Sequence, residues 1–407
     1  MNYVRRATCR NCNYPLTEVL DLGMMPLANA FLAGEKLEAP EYQFPLSLAY
    51  CSDCFLVQVP DVVDPDLLFK DYVYTTGSSP VLVRHFEKLA GQVQKLLTEP
   101  TDLVVDIGGN DGTFLSFLKP FGAVLNVDPA LNLKPLSHSK DVEFLHSFFN
   151  SVTAHEIVSK YGQAKVITAT NAFAHSDYVE DMAKGVATLL RDDGVFIAEV
   201  HWVKDLIESG CWDQIYHEHL CYYSLHSFQE LIRPYGLTVF DVEIIPTHGR
   251  SLRVSACKDP LRTWPSVEMI LQTELRSGLT DVSTFLNFGQ KVARNKDKLR
   301  RGLANLRQRG HKIAGYGAPA KGNVLLNYCK IYPHLVEYLV DSSPLKQGLY
   351  SPGTHIRVEK PEYLYANRPD YVLLLAWNYK DAILEKEQKL RDLGTKFIIP
   401  VPEVSIV

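Results

Sequence analysis

Cys9-Arg-Asn-Cys12 is answered by Cys51-Ser-Asp-Cys54, and this pair of knuckles constrains the start of the chain more than any other feature. Two Cys-x-x-Cys turns a few dozen residues apart supply four thiolates, the ligand set of a tetrahedral structural zinc. A closed four-sulfur site leaves no position for water. The zinc expected on Cys9, Cys12, Cys51 and Cys54 therefore organises the fold and carries no chemistry. The competing reading is a pair of chance Cys pairs or two disulfides. The other cysteines, Cys211, Cys221, Cys257 and Cys329, are scattered and read as buried packing residues.

At 407 residues the chain has room for two or three domains. A hydrophobic fraction of 46% suits a well-packed enzyme, and a net charge of −5 without a basic run argues against nucleic acid as the main partner. No apolar stretch approaches membrane-spanning length, so no membrane partner is expected. Met1 to Arg6 leads into the first knuckle without a signal-peptide core. Metal-binding thiols suit a reducing cytoplasm, the expected location.

Three stretches differ in pattern. Residues 1–76 read as short strands and turns around the knuckles, with Asp21 to Phe31 as an irregular loop that still packs. Residues 77–260 alternate between helices and short apolar runs. Val81 to Leu97 reads as an amphipathic helix, while Leu103 to Ile107, Val124 to Val127, Val166 to Thr170 and Gly194 to Val200 read as buried parallel strands. Residues 261–407 open with a charged helical bridge and then repeat the alternation. The expected fold class is α/β: a zinc-binding module, a Rossmann-like doubly wound sheet and a second Rossmann-like unit.

The first glycine loop, Asp106-Ile-Gly108-Gly-Asn110-Asp-Gly112, sits between a strand and a helix. Glycines there let the backbone approach a ligand, and the turn frees amides at the helix start. An acid in the strand end followed by Gly-Gly-Asn-Asp-Gly looks more like an S-adenosylmethionine loop than a dinucleotide fingerprint. Asp128 ends the next strand, where an acid takes ribose hydroxyls. Asp106, Gly108, Asn110, Gly112, Asp128 and Asn171 are the candidate cofactor residues. Asn171 and His175 follow a later strand at the same carboxyl edge.

Gln214-Ile-Tyr216-His217-Glu218-His219 is the densest group of proton-transfer side chains. His219 is the natural general base near neutral pH. Tyr216 suits donation to a developing oxyanion, and Glu218 suits orientation or protonation. His-x-His around a glutamate also suggests a metal, though not the helix of a zinc protease. Thr247 to Arg253, with Arg250, reads equally as a phosphate or sugar clamp and as a surface turn. The second glycine loop, Gly315-Tyr-Gly317-Ala-Pro-Ala-Lys321-Gly-Asn323, is close to a nicotinamide fingerprint, with Asp341 near the ribose position. Pro319 and Lys321 fit that reading poorly; a lysine at a glycine turn also suits a pyrophosphate.

The order of these parts resembles the sugar C-methyltransferases that act on thymidine-diphosphate-linked deoxysugars, over nearly the whole chain. The resemblance rests on both knuckles, on Leu22-Gly23-x-x-Pro26-Leu27-Ala28-Asn29, on Tyr72-x-Tyr74 and on Asn110-Asp-Gly-Thr113. It continues through Tyr216-His-Glu-His219, His248-Gly-x-Ser-Leu-Arg253 and the Gly315 to Asn323 block. It implies a zinc domain, a central S-adenosylmethionine domain, and a C-terminal Rossmann-like domain that helps bind a nucleotide-diphosphate sugar. It implies His219 as base, with Tyr216, Glu218 and Tyr74 around the substrate. His175, His201, Arg250, Lys321 and Asn323 complete the expected substrate side. The chain departs from the family at Val200-His201-Trp202, where an Asp-Pro-Tyr or Val-Pro-Tyr is common, and at Arg250, where glycine is. Both places are expected to face the sugar, which leaves room for a different one. Methylation at carbon 3 is expected over carbon 5, by a monomer or weak dimer. Competing classes are an epimerase or nicotinamide-dependent dehydrogenase using the second glycine loop, and a non-catalytic nucleotide-sugar-binding protein.

Overall fold

The computed structural model describes residues 3–69, 75–247, 249–259 and 263–407. Its first sheet is built on the antiparallel pair Leu16–Pro26 and Gln43–Cys51. This corrects the expectation of an irregular loop from Asp21, because the strand runs on to Pro26. Two slips of register, at Glu18/Leu20 and Asp21/Gly23, absorb residues that break simple alternation, and Gly23 supplies a φ of +79°. Val57–Gln58 adds a third strand. The fourth, Cys221–Tyr222, arrives from far along the chain and pairs Cys221 with Gln58 and Tyr222 with Val57.

The central sheet has the order Thr238–Ile245, Ser251–Cys257, Leu190–His201, Ala164–Thr170, Leu103–Ile107, Ala123–Asp128, Glu143–His146. The last five of these pair in parallel. Leu103–Ile107 is buried at every position, as expected of a strand covered on both faces. The chain moves outward from it to Glu143–His146, then returns to its other side with Ala164–Thr170. That reversal creates the crevice at the carboxyl edge where such sheets bind ligands. Ser251–Cys257 inserts antiparallel between Leu190–His201 and Thr238–Ile245. Arg253 accordingly lies in a strand, 7% exposed, and not on a surface turn.

Pro265–Arg276 and Val282–Gln308 form the helical bridge. The second helix packs on Leu16–Pro26 closely enough that a Cβ on Gly289 would lie 2.1 Å from the Val19 carbonyl oxygen. The third sheet runs Val358–Glu359, Leu339–Val340, Ile313–Tyr316, Tyr371–Leu374, Lys396–Ile399, Ser405–Ile406. All but the last strand are parallel, again with a reversal beside the first. One apolar cluster links Leu48 of the first sheet, Val105 and Tyr223 of the centre and Leu373 of the third. Fully burying each such side chain stabilises the fold by about 1.5–3 kcal/mol, so the three sheets share a core. Among the described residues, no helix is long and apolar enough to cross a membrane.

Candidate active site and zinc site

The four knuckle sulfurs lie within 4.8 Å of one another. Cys9 Sγ is 3.5 Å from Cys54 Sγ and Cys12 Sγ is 3.3 Å from Cys51 Sγ. These are too long for disulfide bonds and suit the edges of a sulfur tetrahedron around zinc. The amide of Asn11 and the Gln58 side chain donate to Cys9 Sγ, at 3.4 and 3.1 Å, which complements thiolate charge. The thiolate set fits zinc.

Arg10, between the first two ligands, is 1% exposed. Its guanidinium donates to the Leu220 carbonyl, to the Val59 carbonyl at 2.7 Å and to Asp177 at 3.3 Å. The Val59 amide also donates to the Leu220 carbonyl, at 2.9 Å. The zinc module thus grips the residue directly after His219.

That grip sets the turn of Tyr216 to His219. His219 Nδ1 lies 3.2 Å from the Gln214 carbonyl, which only accepts. The neutral ring therefore carries its proton on Nδ1, and Nε2 accepts from the Tyr216 hydroxyl at 2.8 Å. His175 and His201 flank this ring, with centroids 5.1 and 4.8 Å from it. His175 Nδ1 donates to the Glu218 carbonyl at 2.6 Å. His217 faces the opposite way, donating to the Pro45 carbonyl at 3.1 Å. The His-x-His metal reading is thereby corrected: alternation in an extended turn sends the two rings apart. Among the described residues, the four cysteines alone form a metal-ligand group.

Glu218 is 6% exposed. Burial pushes its carboxyl up to about 7, against the Asn29 amide that donates to Oε1 at 2.7 Å. Sequence reasoning quoted Asn29 in a motif but gave it no role. The Asn323 amide donates to the neighbouring Ala28 carbonyl at 2.7 Å, so the C-terminal unit holds the segment that holds Glu218. Tyr74 and His248 lie outside the described residues.

The first glycine loop forms the adjoining cradle. A Cβ on Gly109 would meet Asn126 Oδ1 at 2.5 Å and Asp106 Oδ2 at 2.8 Å, so the loop closes only on glycine. Gly108 and Gly112 have φ of +71° and +74°. Asp106 lies beneath the loop, accepting from Thr168 at 2.6 Å; burial pushes it up to about 7. Asp128 accepts the amides of Asn110 and Ala130, at 2.9 and 2.8 Å. Burial still lifts it to about 6. Its two oxygens keep further lone pairs for hydroxyls. Asn110 Oδ1 accepts the Thr76 amide at 2.9 Å, and Asp111 accepts that of Gly77 at 2.9 Å. The segment leaving the zinc module is therefore tied to the loop. Asn171, with φ of 62°, closes the edge, its Oδ1 buried without a hydrogen bond among the described residues. Glycine turn, strand-end acid and orphaned amide fit a nucleoside with ribose hydroxyls.

On the C-terminal side, Lys321 Nζ bonds Asn378 at 2.6 Å and sits 4.0 Å over the Trp377 ring. The Trp377 indole donates to buried Asp213 at 2.6 Å, just before the His219 turn. Arg250 pairs with Asp205 at 2.8 Å and is half exposed. Beneath the strand ends, Glu199 takes both His85 at 2.9 Å and Arg253 at 2.7 Å. Burial would raise its carboxyl, but His85 and Arg253 together hold it below the ordinary value.

Three family models match the chain: "Putative zinc binding domain" over 9–69, "Methyltransferase domain" over 83–242 and "C-methyltransferase C-terminal domain" over 246–402. The chain is 33% identical over 404 residues to C-methyltransferase NovU of Streptomyces niveus, covering 98% of this chain and 96% of that protein. Solved structures include magnesium protoporphyrin IX methyltransferase from Synechocystis with bound SAM, at 13% identity and a TM-score of 0.33, covering 44% of this chain and 82% of that one. Another is an S-adenosylmethionine-dependent methyltransferase from Clostridium acetobutylicum, at 13% identity and 0.33, covering 43% and 90%. The order of zinc module, methyltransferase sheet and C-terminal unit, matched end to end by a relative, places this chain in the C-methyltransferase family, as an S-adenosylmethionine-dependent enzyme with an N-terminal zinc-binding module.

Proposed function

We propose that this enzyme methylates a carbon beside the ketone of a nucleotide-diphosphate-linked 4-keto sugar, thymidine-linked, at carbon 3. The observation that carries the reading is the His219 tautomer. Nδ1 is committed to a carbonyl and Nε2 is an acceptor paired with a tyrosine hydroxyl. Carbon methylation needs a carbon nucleophile, and a ketone acidifies the proton on its neighbour.

In this reading Nε2 of His219 takes that proton. The C–H electron pair moves onto the ketone oxygen, and the Tyr216 hydroxyl turns from Nε2 to that oxygen. Glu218, buried enough to keep its proton near neutral pH, donates there as well. S-adenosylmethionine, when bound, would supply an electrophilic methyl group: as the ketone re-forms, the enolate carbon would take the methyl and the carbon–sulfur pair would go to sulfur, leaving S-adenosylhomocysteine. Gly108, Gly112 and Asn110 shape the cradle for it, Asp106 supports the loop from beneath, Asp128 takes the ribose and Asn171 the carboxyl edge. His175 and His201 line the sugar end with Arg250, and the family resemblance implies Tyr74 as a further substrate residue. Lys321 suits the diphosphate. Asn323 acts through the Ala28 carbonyl. Positioned general bases contribute about 10²–10⁴-fold, and oxyanion donors about 10²–10³-fold.

The test is a proton NMR time course in deuterium oxide with thymidine-diphosphate-4-keto-6-deoxyglucose and S-adenosylmethionine. Loss of one ring proton with a new methyl singlet is expected, and the surviving couplings identify the carbon. His219→Asn should lose both signals' changes while keeping cofactor affinity. Normal turnover in that variant refutes the assignment. Proton loss without a methyl signal turns the reading toward epimerisation.

A further inference from the structure

We propose that Asn29, contributed by the zinc module, is a positioning residue of the proton-transfer cluster: its amide fixes the Glu218 carboxyl so that Oε1 faces Asn29 and Oε2 faces substrate. The inference rests on Glu218 belonging to that cluster, as proposed above. Asn29 Nδ2 can only donate, so Oε1, 2.7 Å away, must accept. When the carboxyl holds a proton, that bond favours Oε1 as the carbonyl oxygen, the better acceptor, and the proton on Oε2. Oε2 makes no hydrogen bond among the described residues, so its O–H is available to an incoming ketone oxygen.

The neighbours support a specific device. Among the described residues, the titratable groups around the turn include His175, His201, His219, Tyr216 and Tyr222, whose hydroxyl donates to the Gln214 carbonyl at 2.9 Å. His175 bonds the main-chain carbonyl of Glu218, and Tyr216 and His219 bond each other. His217 points to Pro45. Among the described residues, Asn29 is the side chain that bonds the carboxyl itself, in a site where burial raises the carboxyl and the Asn29 donor lowers it. The turn bearing Asn29 is pinned from the other end of the chain by Asn323 on the Ala28 carbonyl. A carboxyl that must donate during the reaction is thus set by a residue nearly two hundred positions away, on a segment clamped between the first and third sheets.

The test titrates full-length zinc-loaded protein carrying 13C-labelled glutamate side chains, with the Glu218 signal identified by its loss in Glu218→Gln. Asn29→Leu keeps the shape and removes the donor. Asn29→Asp keeps the shape and adds a negative charge. Both should raise the Glu218 midpoint, Leu by about one pH unit, a tenfold change in ionisation constant, and Asp by more. Zinc content and S-adenosylmethionine affinity should stay at parent values, while kcat falls roughly tenfold with its pH profile displaced in the same sense. Asn29→Gln, which keeps an amide donor, should recover part of kcat. An unmoved midpoint in Leu and Asp overturns the proposal. Joint loss of zinc and cofactor binding in all three variants overturns it too, by making Asn29 structural. A displaced midpoint with unchanged turnover instead removes Glu218 from the catalytic cluster. The titration needs no sugar, so it decides the Asn29 contact even where the proposed substrate fails.

Discussion

Arg10 offers the sharpest perturbation of the coupling between the zinc site and the chemistry. Arg10→Met keeps the buried stem and removes the fork. Asp177 is not stranded, because Arg6 still pairs with it at 2.9 Å. The Leu220 carbonyl retains the Val59 amide at 2.9 Å. What disappears is a pair of charge-assisted bonds to carbonyls, each worth about 1.5–3 kcal/mol, with the Val59 carbonyl left without its arginine donor. The local loss is about 3–5 kcal/mol. At about 1.4 kcal/mol per factor of ten, opening of the His219 turn becomes on the order of a hundredfold to a thousandfold more populated. Amide hydrogen exchange of residues 214–224 and 56–60 reads this directly, with Leu103–Ile107 as internal reference. Those two peptides should exchange faster by that factor while the reference strand does not. Turnover should fall steeply, and S-adenosylmethionine affinity should stay within about twofold, since the cradle lies on other strands. Parent-like protection of both peptides with full turnover would refute the coupling.

Zinc removal should give a related but wider signature: strong chelation releases the metal and loosens the first sheet, since binding energy at a structural site is folding energy; metal analysis finding no zinc in chelator-free protein contradicts the four-thiolate site. Gly109→Ala should cost about 1–3 kcal/mol and most cofactor affinity, because its Cβ would stand 2.5 Å from Asn126 Oδ1; calorimetric binding at the parent value rules this out. Asp128 carries a pH signature with a definite sign. Its carboxyl sits at about 6, above the ordinary value of about 3.9, so its protonated form favours the folded ligand-free state, and that contribution is lost as pH rises from about 4 through about 6. Asp128→Asn should therefore gain stability relative to the parent as pH rises from about 4 to about 6, and hold that gain above it, in thermal melts, while losing cofactor affinity. A stability difference that does not change over that range contradicts the assignment.

What was legible in the sequence follows from local physics. Leu103 to Ile107 and Val166 to Thr170 showed their strands because short apolar runs are local. The knuckles showed the zinc because ligand spacing is local. Asp21 to Phe31 misled, because Gly23 and Pro26 look like loop residues where bulges let a strand continue. Glu143–His146 left little signal, being four residues at a sheet edge with two polar ends. The roles of Arg10 and Asn29 were out of reach for another reason. Their partners are Leu220 and Glu218, and no spacing rule joins positions so far apart.

Those long-range bonds bear on what a zinc-binding module does for the rest of the chain. The His219 turn has little of its own to hold it: it lies between a short 3-10 turn at Trp212–Gln214 and a two-residue strand at Cys221–Tyr222. Isolated, such a segment pays about 1–2 kcal/mol of backbone entropy per residue to be fixed, and its internal bonds, among them His219 to Gln214 and to Tyr216, and Tyr222 to Gln214, are not backed by a long helix or strand. The offset comes from outside. Gln58 bonds Cys9 Sγ, receives the Arg10 amide at 3.1 Å and pairs with Cys221. Arg10 bonds Leu220, Asn29 bonds Glu218 and Pro45 takes His217. Every one of those partners lies in a knuckle or in the segments between and beside the knuckles. A tetrahedral metal with stiff bonds fixes that module at its base, and the module in turn fixes the imidazole, the phenol and the carboxyl against the cradle. The four-thiolate site is structural in its coordination, and what it holds in place includes the turn that carries Tyr216, Glu218 and His219.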